Sequence, residues 1–375
     1  IEAFSSQKIV SAIRKSANRA MYDLSDEQCR RVVDLTLAHL AEHGGDVAPV
    51  ANVRNAVERA LDDVAPDVAK CYRDYRNYKQ DFVHMLDDVY RKSQAIRYIG
   101  DRNNANTDSA LVPTQRSLIY NELSSALYKK FFLNREEREA MKDGYIYIHD
   151  RSARLDTMNC CLFDMANVLT GGFEMGNVWY NEPKTLDVAF DVISDVAISA
   201  AACQYGGFTI PEVDKILAPY AEKSYQKYFE EYTEIAVYNN LGDHEDVLTA
   251  ADEYAVKKVQ RDMEQGFQSW EYRFNTVGSS RGDYPFIAVS FGLDNSRFGR
   301  MASMTCMNVR AGGQGAAGHK KPVLFPKLTF LYDEELHGEG KPMEDVFECG
   351  VDCSTKAMYP DFLSLTGEGY IPSMY

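Results

Sequence analysis

The hydrophobic period of this chain changes once, and that change constrains its architecture more than any single motif. Through residues 1–90 the apolar positions recur at helical spacing. Ile9, Val10, Ile13, Ala17, Ala20 and Met21 form one stripe behind a Ser5 or Ser6 cap. Ser25 and Gln28 predict a capping box ahead of Val32, Val33, Leu37 and Leu40, and Gly44 with Gly45 predicts where that helix ends. Val50, Val53, Val57, Leu61 and Val64 make a third stripe, stopped by Pro66. A fourth helix carries Val68, Tyr72 and Tyr75 and runs on through Phe82, Met85 and Val89.

Residues 101–117 break the pattern. They are polar, rich in asparagine and without a period, which predicts a loop and a domain boundary between about 90 and 100. Beyond them a helix is expected to about residue 141. Tyr145-Ile146-Tyr147-Ile148 then reads as a buried strand ending in His149-Asp150. Helices are expected over about 184–203 and 212–238, and strands over 285–291 and 323–332. Strands separated by long helical segments predict an α/β architecture.

The remaining composition narrows the function classes. At ~150 residues per domain, 375 residues allow two or three domains. The net charge is 41 − 56 = −15, which disfavours electrostatic binding to DNA or RNA. No apolar run is long enough to span a membrane, and no signal peptide stands at the front. Eight cysteines in so long a chain do not make a secreted disulfide scaffold, so a cytoplasmic location is expected. The chain starts at Ile1 and stops at Tyr375 in a turn-like stretch, as a piece of a longer protein would.

Most motif matches have an ordinary reading. Gly313-x-Gly315-x-x-Gly318 has the dinucleotide-binding spelling, but a charged segment precedes it and a strand follows, so it reads as a glycine loop. Cys349 and Cys353 fall on one helix face with no further ligand beside them, and no metal site is expected. Tyr225, Tyr228, Phe229, Tyr232 and Ile235 read as a packing stripe, and Arg281-Gly282-Asp283 as a turn. Asn159-Cys160-Cys161 stands out, because a thiol just past a strand end is well sited for chemistry in α/β proteins. A buried structural cysteine is an equal reading of those residues alone. Gln204-Tyr205-Gly206-Gly207 ends a helix rich in small residues. Lys184 and Lys227 each offer a cation to a phosphate, although a lone lysine is ordinarily a solvated one.

Taken together these stretches resemble the anaerobic, class III ribonucleoside-triphosphate reductases, which are glycyl radical enzymes. The resemblance runs in order over residues 101–365. It passes through Asn104-Ala105-Asn106, Pro113-Thr114-Gln115-Arg116, Tyr147-Ile148-His149-Asp150, Asn159-Cys160-Cys161, Pro183-Lys184, Gln204-Tyr205-Gly206-Gly207, Phe274-Asn275-Thr276, Phe325-Pro326-Lys327-Leu328 and Met358-Tyr359-Pro360-Asp361. The first 90 residues resemble the helical ATP-cone regulatory domain, without its leading basic hairpin. Lys8-Ile9 and Ala12-Ile13 match its first helix, and Tyr72, Tyr75 and Arg76 its closing motif.

The resemblance implies an ATP-cone-like domain over residues 1–92. Over 93–375 it implies part of a ten-stranded α/β barrel made of two half-sheets around a finger loop. It implies reduction of ribonucleoside triphosphates by glycyl and thiyl radicals, with formate as the usual reductant, a radical-SAM activating enzyme as partner, and a homodimer. Cys160 matches the cysteine on the barrel face that assists the reduction. His149 and Asn106 match positions lining the substrate pocket. Lys184 and Lys227 match positions that contact an effector deoxynucleotide, while Asp195 stands where glutamine is usual in that site. Lys8 matches the ATP-cone, which takes ATP or dATP. The glycyl radical motif, the finger-loop cysteine and the zinc site of the family match nothing here and are expected outside this chain.

Overall fold

The computed structural model describes residues 4–42, 47–97, 111–154, 158–239, 241–276 and 282–366. Backbone contacts divide the chain into two compact units, residues 1–92 and 93–375.

Unit 1 is helical. It contains α1 (Ser6–Arg19), α2 (Asp26–Ala41), α3 (Val50–Val64) and most of α4 (Pro66–Arg97). Each buries the stripe that its period dictates: Ile9, Ile13 and Ala17 from α1, Cys29, Val32 and Val33 from α2, Val57, Ala60 and Leu61 from α3, Val68 and Ala69 from α4. Ser25 and Gln28 form the expected capping box reciprocally. Ser5 occupies the N-cap of α1 without a side-chain bond. Four stripe residues depart from expectation, Val50 and Tyr75 being exposed as well as the following two. Met21 lies past the end of α1 at φ 50° and is 94% exposed, and Leu37 is also exposed. The expected Gly44–Gly45 stop falls outside the described residues.

Unit 2 is mostly helical around a parallel sheet. Its elements are α5 (Val112–Phe131), α6 (Arg135–Lys142), β1 (Cys161–Leu162), α7 (Met165–Leu169), β2 (Phe173–Met175), β3 (Val178–Tyr180), α8 (Leu186–Ala202), β4 (Phe208–Ile210), α9 (Val213–Tyr238), α10 (His244–Phe274), β5 (Ile287–Phe291), α11 (Arg297–Gly312), β6 (Lys327–Tyr332), α12 (Glu334–His337), α13 (Glu344–Ala357) and β7 (Asp361–Ser364). The helix expected to residue 141 is two helices, because Asn134 and Glu137 build a fresh capping box at the start of α6. The strand expected at 145–148 does not form. Tyr145 and Tyr147 are 84% and 79% exposed, and no described strand pairs with the segment, so its backbone has no ladder to join.

Strands β1, β4, β5, β6 and β7 make one all-parallel sheet in that order, and β2 with β3 a separate hairpin. Alternation gives the large sheet two unlike faces. Phe208, Ile210, Ile287, Val289, Phe291, Leu328 and Phe330 project into the helix-packed core. Thr209, Ala288, Ser290, Lys327, Thr329 and Asp361 project to the other side and belong to no part of that core.

The core is seated by close approaches. Phe190, Phe267 and Trp270 meet edge to face at 4.9 to 5.6 Å, and the Trp270 indole N–H donates to the Phe190 carbonyl at 3.0 Å. Gly266 makes room for this, since a β-carbon there would lie 2.2 Å from the Phe190 ring. Beneath the start of β6 lies a buried ion pair. Arg310 Nε is 2.6 Å from Glu271 Oε1, with the side chains 1% and 4% exposed. Arg310 Nη2 also donates to the Pro326 carbonyl at 2.7 Å, and Gln314 donates to the second Glu271 oxygen at 2.6 Å. The Asn275 side chain grips both polar groups of the Phe325 backbone, donating to its carbonyl at 2.6 Å and accepting from its N–H at 3.1 Å.

At the far end of β5, Gly292 is held from two sides. Its N–H donates to buried Asp214, and its carbonyl accepts from His337 Nε2 at 2.8 Å. His337 Nδ1 lies 3.0 Å from the Asp333 N–H and 3.1 Å from the Asp333 carbonyl. Burial holds His337 below the ordinary imidazole range, opposed by its bonds to the Gly292 and Asp333 backbone.

Two predictions follow from these contacts. Arg310→Ala leaves Glu271 buried and unpaired, at a cost of about 3–5 kcal/mol. Both tryptophans lie in unit 2, so urea unfolding followed by tryptophan fluorescence reads the loss. As pH falls below 6.5, the unfolded chain takes up a proton on residue 337 before the folded chain does. The histidine's contribution is therefore full above that value and is lost as pH falls through the lower folded-state pKa. His337→Gln removes that part of the pH dependence, and an unchanged pH profile would refute the assignment.

Candidate functional site

Cys160 lies one residue ahead of β1, at the amino end of the parallel sheet. The sequence places it just beyond a strand that ends at His149–Asp150. The structure instead has β1 begin at Cys161, so the thiol precedes its strand. Two pairings frame it, Met158 with Gln204 and Cys161 with Phe208. Between them residues 159–160 face residues 205–207, one residue more on the β4 side. The extra residue bulges the chain at Gly206–Gly207. Gly206 is required there, because a β-carbon would lie 2.5 Å from both Cys160 Sγ and Asn159 Oδ1, and 2.7 Å from the Asn159 carbonyl.

Gln204 holds the same seam. It is 5% exposed, and its amide donates to the Gly207 carbonyl at 2.8 Å and more weakly to that of Gly206. Its side-chain oxygen accepts from the Cys161 thiol at 3.0 Å. Burial pushes the Cys161 pKa up and the neighbouring Cys160 adds to this, while the Gln204 bond opposes it. Cys161 is thus kept as a thiol, and half-buried Cys160 is the sulfur presented beside the glycine bulge.

His149 reaches this seam through one carboxylate. Its Nε2 lies 3.4 Å from Asp150 Oδ1, and Asn159 donates to Asp150 Oδ2 at 3.3 Å. Asp150 adopts a left-handed backbone at φ 52°, which turns the chain back toward Asn159. The structure therefore brings His149 and Cys160 into one neighbourhood, with the His149 side chain 75% exposed. Asn106 lies outside the described residues.

The proposed effector residues divide. Lys184 is exposed just ahead of α8, and Lys227 projects from α9 with Glu231 at 3.9 Å. The two share a seam, because Leu186 N–H donates to Ser224 Oγ and Lys223 bonds Glu182 at 2.7 Å and the Pro183 carbonyl at 3.4 Å. Asp195 is not with them in this chain. It lies nine residues beyond the first residue of α8, about 13 Å along the helix axis. There Arg273 Nη1 stands 3.7 Å away while Nη2 pairs with Asp191 at 2.9 Å. Arg273 was not singled out from sequence, and it offsets the negative charge that makes Asp195 unusual in a phosphate site.

Lys8 lines a cleft of about 1040 Å³ in unit 1. Lys15, Arg19, Arg54, Arg76 and Lys79 line it too, with no carboxylate among the described lining residues, although Arg76 pairs with Glu58 at 2.8 Å. The Arg19 guanidinium lies 3.9 Å from the Tyr75 ring centroid. In a chain of net charge −15, such a concentration of cations is selective for a polyanion.

The other motifs settle as packing. Cys353 is buried in α13, bonds the Met307 carbonyl at 3.2 Å, and has its pKa pushed up to about 11 by burial. Among the described residues no group of three or more His, Cys, Asp or Glu could hold a metal ion. Gly313 caps α11 at φ 65°, and Gln314 pairs with Lys321, so the glycine motif is a loop leading toward β6. Tyr225 and Tyr228 pack against the core, while Ile235 is exposed. No helix among the described residues is long and apolar enough to cross a membrane.

Gly206→Ala forces the Cys160 loop away from β4. We expect a loss of about 1–3 kcal/mol and faster alkylation of Cys160, read by peptide mass spectrometry. Unchanged stability and reactivity would show that the bulge does not seat the sulfur.

Comparison with known proteins agrees across both units. The family profile for anaerobic ribonucleoside-triphosphate reductase matches residues 103–374, and that for the ATP cone domain matches residues 1–81. The anaerobic ribonucleoside-triphosphate reductases of Haemophilus influenzae and Escherichia coli are each 30% identical over 371 residues, covering 96% of this chain and 50% of theirs. That of Enterobacteria phage T4 is 33% identical over 267 residues, covering 70% of this chain and 41% of its own. A solved anaerobic ribonucleotide reductase from Thermotoga maritima aligns with 77% of this chain and 50% of its own, at 14% identity and a TM-score of 0.47. The chain spans about half the length of the curated relatives it matches. It belongs to the anaerobic ribonucleoside-triphosphate reductase family.

Proposed function

We propose that the chain is part of an enzyme that reduces ribonucleoside triphosphates to deoxyribonucleoside triphosphates by radical chemistry, with unit 1 sensing ATP or dATP. The observation that carries the reading is Cys160, presented at the amino end of a five-stranded parallel sheet by Gly206 and Gln204. Five parallel strands in sequential order are what one half of a ten-stranded, two-half-sheet barrel requires.

In this reading Cys160 faces the ribose and supplies hydrogen during replacement of the 2′-hydroxyl. Cys161, tied to Gln204, positions its neighbour. The glycyl radical and zinc belong to the longer protein, a radical-SAM activating enzyme is its partner and formate its reductant, and no residue of this chain is assigned to hold them. Lys184 and Lys227 contact the phosphates of an effector deoxynucleotide at the interface of a homodimer. The cation-lined cleft around Lys8 takes the triphosphate of ATP or dATP.

Cys160→Ser in the longer, activated protein lowers deoxynucleotide formation by about a hundredfold or more, measured as product per enzyme. Undiminished formation removes Cys160 from the mechanism. Independently, calorimetric titration of this chain with ATP tests the cleft. Arg19→Ala weakens binding about tenfold, as loss of a charge-assisted contact does, and no binding by the parent chain excludes the sensing role.

A further inference from the structure

Lys327 is the first residue of β6 and stands on the sheet face away from the helix-packed core. Register places it in one row with Ala288 of β5, Thr209 of β4 and Leu162 of β1. The next row on the same face holds Ser290, Thr329 and Asp361. This face therefore mixes hydroxyls at Thr209, Ser290 and Thr329 with aliphatic groups at Leu162, Leu331 and Leu363, and carries a single ammonium among its strand residues.

That ammonium is not compensated from within. Lys327 is half-buried, and its Nζ lies 4.4 Å from the Phe286 ring centroid. Among the described residues no carboxylate forms an ion pair with it. Asp361, the acidic residue of this face, lies one row on and on the next strand. One group in the row is unsatisfied. Thr209 is wholly buried, and its hydroxyl has no hydrogen-bond partner among the described residues. Buried polar groups left unpaired in this way call for a ligand or a water.

The backbone ahead of Lys327 is held by buried side chains. Asn275 grips Phe325 through both backbone polar groups, and buried Arg310 holds the Pro326 carbonyl. The lysine is presented from a fixed base. Three strand spacings separate β1 from β6, about 14 Å between backbones, and the lysine stem shortens the span that an occupant must bridge. Cys160 lies one residue ahead of β1, at the same amino end of the sheet.

We propose that Lys327 binds the phosphates of the ribonucleoside triphosphate whose ribose lies at Cys160, with the sheet row through Thr209 as the floor between them. The inference rests on the assignment of Cys160 to the reacting ribose. It makes Lys327 a substrate-binding residue and the hydroxyl-bearing face the substrate side of the sheet.

The test is steady-state kinetics of the longer, activated protein with Lys327→Met, which keeps the stem, and Lys327→Arg, which restores the charge. The Met variant is expected to raise KM for the ribonucleoside triphosphate at least tenfold, and by more than it lowers kcat, with Arg recovering most of the loss. Tryptophan fluorescence unfolding confirms that both variants fold as the parent does. An unchanged KM in the Met variant overturns the proposal and leaves Lys327 as a packing cation on Phe286. A raised requirement for formate with an unchanged nucleotide KM overturns it too, since the anion would then be the small carboxylate. A Cys160→Ser variant with full turnover would sink the thiol assignment, and the KM readout of Lys327 stands apart from that result.

Discussion

The buried Arg310–Glu271 pair is the contact on which the geometry of unit 2 turns. It joins α10 to α11 and, through the Pro326 carbonyl, fixes where β6 begins. Gln314 extends the pair to the glycine loop after α11. An ion pair this buried brings little net stability compared with apolar packing, because desolvation opposes the attraction. Its value is positional, since Arg310 loses the Pro326 carbonyl if the start of β6 slides.

That fixed start governs both faces of the sheet. On one face Phe208, Ile287, Val289 and Phe330 supply the apolar packing that holds α8, α9, α10 and α11 in place. On the other, Thr209, Ser290 and Thr329 set hydroxyls among aliphatic neighbours, and Lys327 adds a cation. The Cys160 seam applies the same logic at the first strand. Gln204 satisfies two glycine carbonyls and one thiol in a place where water has little access, and Gly206 gives the sulfur its room.

How much of this could be read from sequence depends on whether the signal was local. The helices of unit 1, the Ser25–Gln28 capping box, α8 and α9 were legible because each carries its own period or cap. Helix α10 follows a regular stripe through Val247, Ala251, Ala255, Val259, Met263, Phe267 and Trp270. Its small alanines weaken the contrast, and no helix was expected there. Strands β1 and β4 have two and three residues and exist only because β1 pairs with β4 and β4 with β5. The expected strand at Tyr145–Ile148 fails for the converse reason, since its period is correct and no neighbour receives it. At the site, the Cys160–Cys161 pair and the lysines were visible as residue types. Gln204, Gly206, Arg273 and Lys327 take their roles from register and from contacts dozens of residues apart, which no local pattern carries.

The sequential, all-parallel strand order also carries a kinetic consequence. Neighbouring parallel strands cannot be joined by a tight turn, so each pairing must close a loop as long as its intervening helices. Between β4 and β5 that loop holds both α9 and α10. The helical hairpin can form early from local contacts, whereas the sheet waits for chain closure across it. During that wait the sheet's edges and its apolar face stand open to other chains. The arrangement that lines up five strand ends at one surface therefore makes unit 2 a slow assembler, most exposed to aggregation before β5 docks between its two neighbours.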